Sequence, residues 1–121
     1  IYFFDAVIGD KKLEVYQSAD IFILPSHHEG SPISIIEAMA SGLPVIATRV
    51  GGIPDLVDHA MNGLLVNSNT PGDLAGAMEM LIDHAQLRAE YGLEGRKKAL
   101  ENHGVENYVD QLVRFYQAIC A

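Results

Sequence analysis

Cysteine is almost absent from this chain of 121 residues, which carries Cys120 alone. A single cysteine excludes an intrachain disulfide and a cysteine-based zinc site, and it favours a reducing, cytoplasmic setting. Long apolar runs are absent as well, since none approaches the roughly 20 residues that a membrane span needs. We expect any peripheral contact with the inner face of a membrane to come from a part of the protein outside this segment.

Basic residues are also scarce. Eight lysines and arginines stand against sixteen acidic residues, which gives a formal net charge of -8. This charge repels the phosphates of nucleic acids and of anionic membrane surfaces, so we expect neither as the main partner. It also opposes a bound diphosphate, so a phosphate site must be built locally, from backbone N–H groups and a helix end.

The composition is otherwise that of a globular domain. Apolar residues make up 49% of the chain, and its glycines and prolines are scattered, so it is long and apolar enough for one compact domain and too short for two. It begins inside the apolar run Ile1-Tyr2-Phe3-Phe4 without an initiator methionine. We interpret this start as a cut, and we expect one domain over residues 1–121, truncated at its N terminus.

Short apolar runs alternate with helix-period segments over the first 85 residues. The runs predict strands at residues 1–7, 21–24, 44–47 and 63–66. The segments between and after them predict helices at residues 11–19, 32–41, 54–57 and 71–85, the last with Thr70 as N-cap and Pro71 as first helical residue. Strands that are apolar throughout belong to parallel sheets covered on both faces. The predicted fold class is therefore α/β, with a Rossmann-like parallel sheet over residues 1–85.

The remaining residues, 86–121, predict a helical C-terminal tail. Residues 86–101 are charged and broken by Gly92 and Gly95, whereas residues 105–120 carry apolar side chains at helical spacing. Two groups of side chains in the tail have ordinary structural interpretations. We expect the aromatic residues to belong to the core; they are Tyr108, Phe115 and Tyr116. We expect the basic residues to form a solvated face; they are Arg96, Lys97 and Lys98.

The most unusual stretch, residues 24–42, predicts a strand, a loop and a helix. Pro32 follows Ser31 as a first helical residue follows an N-cap. The helix is thus expected to begin at the carboxyl end of a strand, where ligands bind in open parallel sheets. A helix N terminus carries about half a positive charge, which offsets part of the charge of a diphosphate. This stretch therefore outlines an anion site.

Two glutamates in this stretch are candidate binding residues. Glu37 lies inside an otherwise apolar helix, where a carboxylate is costly unless it accepts hydrogen bonds. The neighbouring hydroxyls of a ribose suit its two oxygens, although a glutamate satisfied by backbone N–H groups or solvent fits the pattern equally well. Glu29 stands in the loop beside Gly30, which lets the backbone approach a ligand closely. Its ordinary interpretation is a solvated carboxylate.

The nearby histidines, glycines and arginine carry weaker signals. His27 and His28 are adjacent, so they diverge and cannot form a helical i, i+4 metal pair, and we predict no metal site. Gly51 and Gly52 lack the further glycines of a dinucleotide-binding motif, and we interpret them as a close-approach loop near a ligand. Arg49 is the nearest cation in sequence and is either solvated or in contact with a phosphate.

The two glutamates, with seven residues between them, stand within a longer pattern of four stretches. These are Glu29-Gly30-Ser31-Pro32, Glu37-Ala38-Met39-Ala40-Ser41-Gly42-Leu43-Pro44-Val45-Ile46, Gly51-Gly52-Ile53-Pro54-Asp55 and Asn62-Gly63-Leu64-Leu65-Val66. The pattern resembles retaining glycosyltransferases of the GT-B fold, in glycosyltransferase family 4, and the resemblance covers nearly the whole chain. The chain departs from the family at Ser31, where phenylalanine is frequent, near Asp5, where glycine is frequent, and at Asp55, where glutamate is frequent.

The resemblance implies a partial C-terminal half of a GT-B fold, which binds a nucleotide-diphosphate sugar and needs no metal or other cofactor. It implies that Glu29 lies against the donor sugar as the catalytic residue and that Glu37 holds the ribose hydroxyls. Backbone N–H groups within Gly30, Ser31, Pro32 and Ile33 are expected to contact the sugar and the diphosphate, except that Pro32 has no N–H. Gly51 and Gly52 are expected near the donor.

The resemblance implies that the family's phosphate-binding arginine and lysine and its acceptor domain would lie upstream of Ile1. We therefore expect a transferase fragment that is inactive alone. Its acceptor would be a glycan, lipid or small molecule held by the missing domain, in polysaccharide or glycoconjugate biosynthesis.

Two other functions stay open. A nucleotide-sugar epimerase on the same fold would need its own acid–base groups, and the sequence shows no such constellation beyond the two glutamates. A non-catalytic nucleotide-binding or regulatory module is favoured if the natural gene encodes this segment alone.

Overall fold

A computed structural model describes residues 2–120, apart from the side chains of Tyr116 and Cys120. Three strands and six helices lie within this range. In chain order they are α1 (Asp10–Ser18), β1 (Phe22–Leu24), α2 (Ile33–Ala40), β2 (Val45–Thr48), α3 (Ile53–Leu56), β3 (Gly63–Val66), α4 (Pro71–Asp83), α5 (Ala85–His103) and α6 (Val105–Cys120). None of these helices has the length and apolarity to cross a membrane.

The three strands form one parallel sheet in the order β1-β2-β3. Ile46 of β2 lies opposite Ile23 of β1 and Leu64 of β3, which fixes the register. Helices connect each strand to the next, as parallel strands require. The predicted α/β class with a parallel sheet is confirmed, and so is the helical C-terminal tail.

The core lies on both faces of the sheet. Val45 and Ala47 belong to one buried cluster, with residues of α2 and α3, whereas Ile46 belongs to the other, with residues of α4. Successive side chains of a strand point to opposite faces, so a strand covered on both sides must be apolar throughout. This explains why β2 and β3 read as continuous apolar runs and are buried at every position.

The first predicted strand, over residues 1–7, is not present in the described part of the chain. Residues 2–8 have no regular secondary structure, and the side chains of Tyr2 and Phe3 are 88% and 93% exposed. A strand forms only where a neighbouring strand pairs with its backbone, and these residues pair with no described strand. The prediction is wrong for residues 2–7, and Ile1 lies outside the described residues.

The predicted helix starts hold to within one residue. Pro71 opens α4 after Thr70 as predicted, although the Thr70 hydroxyl donates to the carbonyl oxygens of Asn67 and Ser68 instead of capping the helix. The start of α2 differs from the prediction, because Pro32 is the N-cap and Ile33 the first helical residue. Pro32 has an extended backbone, with ψ of 111°, and this keeps it outside the helix.

The two glycines that were expected to break the tail lie inside a continuous helix, α5. A Cβ at Gly92 would stand 2.2 Å from the carbonyl oxygen of Gly42, and one at Gly95 would stand 3.4 Å from Cγ of Met39. The glycines thus allow α5 to lie directly on the C-terminal end of α2 and the turn after it. The predicted break is wrong, because this close approach offsets the low helix propensity of glycine.

The aromatic side chains of α6 do not form the predicted core. Tyr108 and Phe115 are 64% and 60% exposed, and α6 packs mainly against α5. The helix therefore presents apolar side chains to solvent in the described structure. Tyr116, the third member of the predicted group, has a side chain outside the described residues.

Candidate functional site

The loops that follow β1 and β2 meet at the carboxyl edge of the sheet. These strands are parallel neighbours, so their carboxyl ends lie side by side. The backbone N–H of Gly52 donates to the carbonyl oxygen of Gly30 at 2.8 Å. A Cβ at Gly51 would lie only 1.7 Å from the carbonyl oxygen of Glu29. Gly51 and Gly52 therefore form a close-approach loop against the backbone of the Glu29 loop, and their position near a ligand stays a prediction.

The Glu29 carboxylate is oriented by Ser26, which is itself bound by Thr48. Its Oε1 accepts a hydrogen bond from the Ser26 hydroxyl at 2.6 Å. The carbonyl oxygen of Ser26 in turn accepts from the hydroxyl of Thr48 at 2.5 Å, and Thr48 is buried at the end of β2. Glu29 is half-buried. The ordinary interpretation of Glu29 as a freely solvated loop carboxylate is therefore wrong.

The N terminus of α2 opens beside Glu29. Gly30, Ser31 and Ile33 are exposed, whereas Pro32 is buried. The first N–H groups of a helix have no acceptor in a preceding turn. The N–H of Ile35 donates to the carbonyl oxygen of Pro32 at 3.1 Å, so the candidate donors to a ligand at this edge are those of Ile33 and Ser34. The sequence-predicted residues of the loop and the helix start are thus brought together with Gly51 and Gly52.

Glu37 lies one helical turn further along α2 and is bound from α1. Its Oε1 is 2.5 Å from Nζ of Lys12, and its Oε2 accepts a hydrogen bond from the Tyr16 hydroxyl at 3.1 Å. The side chains of Lys12 and Glu37 are 42% and 32% exposed. Glu37 is therefore bound by two side chains and not by the backbone N–H groups that the sequence left open, although about a third of its side chain reaches solvent.

Sequence reasoning missed Lys12 and Tyr16 as site residues. They stand 25 and 21 positions before Glu37, too far for a local pattern to show the contact. The available signal was their mutual spacing of four, which places two polar groups on one face of α1.

A cavity of about 510 Å³ adjoins Glu37. It lies between α1, the second half of α2 and α5, and its lining comprises Gly9, Lys12, Leu13, Tyr16, Gln17, Glu37, Ala40, Ser41 and Arg96. Two cations, Lys12 and Arg96, and one carboxylate, Glu37, line it. The balance of charge in the cavity is thus the reverse of that in the whole chain, which favours an anionic ligand.

The predicted solvated face of α5 holds for Arg96 and Lys97, which are both exposed, and Arg96 also borders the Glu37 cavity. The prediction is wrong for Lys98, which is half-buried and whose Nζ lies 2.7 Å from Oδ2 of Asp58.

The hydroxyl of Tyr16 is a neutral hydrogen-bond donor at ordinary pH. Burial raises the pKa of Tyr16 to about 12, and its hydrogen bond to Glu37 and the charge of Glu37 add to the effect. All three causes disfavour a second negative charge beside the carboxylate. Tyr16 therefore remains a hydrogen-bond donor to the Glu37 carboxylate.

The remaining candidates lie around a second cavity or in solvent. His27 and Thr48 border a cavity of about 360 Å³ at the carboxyl edge, together with Asn67 and Thr70. Arg49 is exposed directly after β2 and does not line the Glu37 cavity.

Comparison with known proteins decides the family. Residues 1–84 match the family model described as glycosyl transferases group 1. The chain belongs to this glycosyltransferase family. It is 29% identical over 117 residues to an uncharacterised glycosyltransferase from Methanocaldococcus jannaschii, a match that covers 97% of this chain and 30% of that protein.

Solved glycosyltransferase structures share the fold. Sucrose-phosphate synthase from Thermosynechococcus elongatus superposes with a TM-score of 0.84 at 32% identity, over 93% of this chain and 28% of that one. Anabaena HepE in complex with UDP superposes with a TM-score of 0.83 at 25% identity, over 87% of this chain and 29% of that one, and HepE has also been solved with UDP-glucose. The chain has the fold of a C-terminal GT-B glycosyltransferase domain and spans less than a third of each of these proteins.

Proposed function

We propose that this segment binds the donor in a glycosyltransferase that transfers a sugar from a nucleoside diphosphate to an acceptor with retention of anomeric configuration. The observation that carries the proposal is the placement of the two glutamates along one loop and helix. Glu29 is fixed at the carboxyl edge of the sheet beside the start of α2, and Glu37 borders a cavity one turn away. A nucleotide sugar can span these two points.

Each part of the donor has a group to receive it. The ribose hydroxyls donate to Glu37, and the diphosphate faces the N terminus of α2, whose partial positive charge complements it. The donor sugar lies against Glu29 and the backbone of Gly30, Ser31 and Ile33. HepE, a relative in fold, was solved with UDP and with UDP-glucose, which supports a nucleotide sugar as the ligand class.

The chemistry required of this segment is electrostatic. Departure of a nucleoside diphosphate leaves an oxocarbenium-like sugar, and the groups that stabilise both charges must be in place before the bond breaks. In the proposal, the N terminus of α2 stabilises the departing diphosphate and the Glu29 carboxylate stabilises the sugar cation. We assign no step to a metal or another cofactor.

We assign binding of the acceptor and transfer of the sugar to the full-length protein. Because the chain spans less than a third of the relatives compared, we propose that a glycan, lipid or small-molecule acceptor is bound mainly by residues outside it. The 121-residue segment would then bind donor without transferring the sugar. Measurable transfer by the purified segment would contradict this part.

The deciding experiment is calorimetric or NMR titration of the segment with UDP, GDP and ADP. We expect one of them to bind, and Glu37→Ala to weaken it by about tenfold or more, because charge-assisted hydrogen bonds to the ribose are lost. Glu79→Ala is a matched control, since it removes the same charge from an exposed position on α4. Failure of the folded wild type to bind any of the three would contradict the donor site.

Binding alone also fits a non-catalytic nucleotide-binding module. Sugar transfer by the full-length protein, lost in Glu29→Gln, separates the two functions.

A further inference from the structure

Helix α1 holds the Glu37 carboxylate at both oxygens. Lys12 Nζ lies 2.5 Å from Oε1, and the Tyr16 hydroxyl donates to Oε2 at 3.1 Å. Because Lys12 and Tyr16 are four residues apart, they project from one face of α1. Two donors at two oxygens fix the plane of the carboxylate, which one donor would leave free to rotate.

We propose that Lys12 and Tyr16 are positioning residues, which hold Glu37 ready to receive the two neighbouring hydroxyls of a nucleotide ribose. The inference rests on the proposed donor site. An ionised carboxylate offers about four acceptor positions, and the clamp formed by Lys12 and Tyr16 occupies two. The other two remain for hydroxyls that enter from the cavity.

The clamp lowers the cost of binding in two ways. A glutamate side chain that is 32% exposed would otherwise exchange among rotamers, and ordering it on binding would cost entropy. Lys12 also neutralises the charge of Glu37, which would otherwise repel the nearby diphosphate in a chain of net charge -8. Both effects act through Glu37 and require no contact between Lys12 and the nucleotide.

A double-mutant cycle distinguishes this indirect role from direct contact with a phosphate. The segment carrying Lys12→Met, Glu37→Ala, or both is titrated with whichever of UDP, GDP and ADP binds the wild type. We expect Lys12→Met to weaken binding by about five- to tenfold when Glu37 is present. In the Glu37→Ala background the same change should have no further effect, because the carboxylate that Lys12 positions is gone.

Further variants test the chemistry of the clamp. Tyr16→Phe should weaken binding by about two- to fivefold, since it removes one neutral donor, and Lys12→Arg should restore most of the affinity lost in Lys12→Met. The 2′-deoxy form of the same nucleotide should be less sensitive to Lys12→Met than the ribonucleotide. Lys98→Met is the matched control, because Lys98 forms a similar ion pair with Asp58 in another part of the chain, and it should leave affinity unchanged.

These experiments can contradict the positioning role of Lys12 and Tyr16 without contradicting the proposed donor site. If Glu37→Ala weakens binding but Lys12→Met and Tyr16→Phe do not, the donor site stands and the positioning role is overturned. An equal loss from Lys12→Met in both backgrounds overturns it in favour of direct phosphate contact. A wild type that binds no nucleotide overturns both proposals. The melting temperature should change little in Lys12→Met, because exposed ion pairs contribute little to stability.

Discussion

Gly51 touches the backbone of Glu29, because its α-carbon carries no side chain. A Cβ at Gly51 would lie 1.7 Å from the Glu29 carbonyl oxygen, and the backbone of Gly51 has a φ of +53°, a conformation that disfavours residues with a Cβ. The turn after β2 therefore sets the position of the loop that carries Glu29. This contact links Gly51 to the proposed donor site through steric contact between two backbone segments.

Gly51→Ala should destabilise the domain and displace the Glu29 loop. The left-handed backbone alone costs about 1–3 kcal/mol for a residue other than glycine, and the clash with a carbonyl group adds to it. We expect a lower free energy of unfolding in urea and weaker nucleotide-sugar binding.

Gly76→Ala provides the control for the loss of a glycine. Gly76 lies inside α4, and a Cβ there meets nothing within 4 Å, so alanine should stabilise the helix by about 0.5–1 kcal/mol. Equal stability of the two variants would show that the Gly51 turn can move away from Glu29 at no cost.

Ser26→Ala should affect the sugar part of the donor more than the nucleotide part. Its hydroxyl donates to Glu29 Oε1 at 2.6 Å, and without it the carboxylate loses one of its orienting contacts. We expect affinity for the nucleotide sugar to fall by about three- to tenfold, with affinity for the free nucleoside diphosphate nearly unchanged. Titrations with UDP-glucose and UDP, or the corresponding pair for the base that binds, measure this difference. An equal loss for both ligands would contradict it.

Gly92→Ala should destabilise the contact between α5 and the turn after α2. The added Cβ would lie 2.2 Å from the carbonyl oxygen of Gly42, so the helix must move away from the core. Overpacking of this kind costs about 1–3 kcal/mol, which outweighs the better helix propensity of alanine. Thermal unfolding followed by circular dichroism measures the change, and a melting temperature at or above that of wild type would argue against close packing at Gly92.

Ionisation of Tyr16 should contribute to alkaline unfolding. The pKa of Tyr16 is raised from 10.0 to about 12, first by burial and then by Glu37, so the folded chain favours the neutral phenol. A raised folded-state pKa contributes stability that is fully present below pH 10.0 and is lost as the pH rises through about 12. Urea unfolding across this range should show a smaller loss of stability in Tyr16→Phe than in wild type. Identical pH dependence in the two proteins would contradict the shift.

Local sequence was sufficient for most of the fold. The continuous apolar runs of β2 and β3 indicate strands covered on both faces, and the structure buries both strands completely. Pro71 marks the start of α4 because its fixed φ suits the first helical turn. Such features depend on neighbours in sequence, so a pattern is enough to find them. Residues 2–7 failed as a strand because pairing depends on a partner elsewhere, which their own apolar character cannot supply.

The candidate site likewise has features that the sequence predicts and features that depend on the tertiary structure. That Glu29 precedes a helix and Glu37 lies within it follows from the order of strand, loop and helix, and the sequence by itself determined this placement. Only the tertiary structure decided that Lys12 and Tyr16 bind Glu37, that Gly51 lies against Glu29, and that Gly92 is a packing position inside a helix. Each of these contacts joins residues more than 20 positions apart. Such contacts depend on how the helices and loops meet around the sheet, and no periodicity within one segment encodes that arrangement.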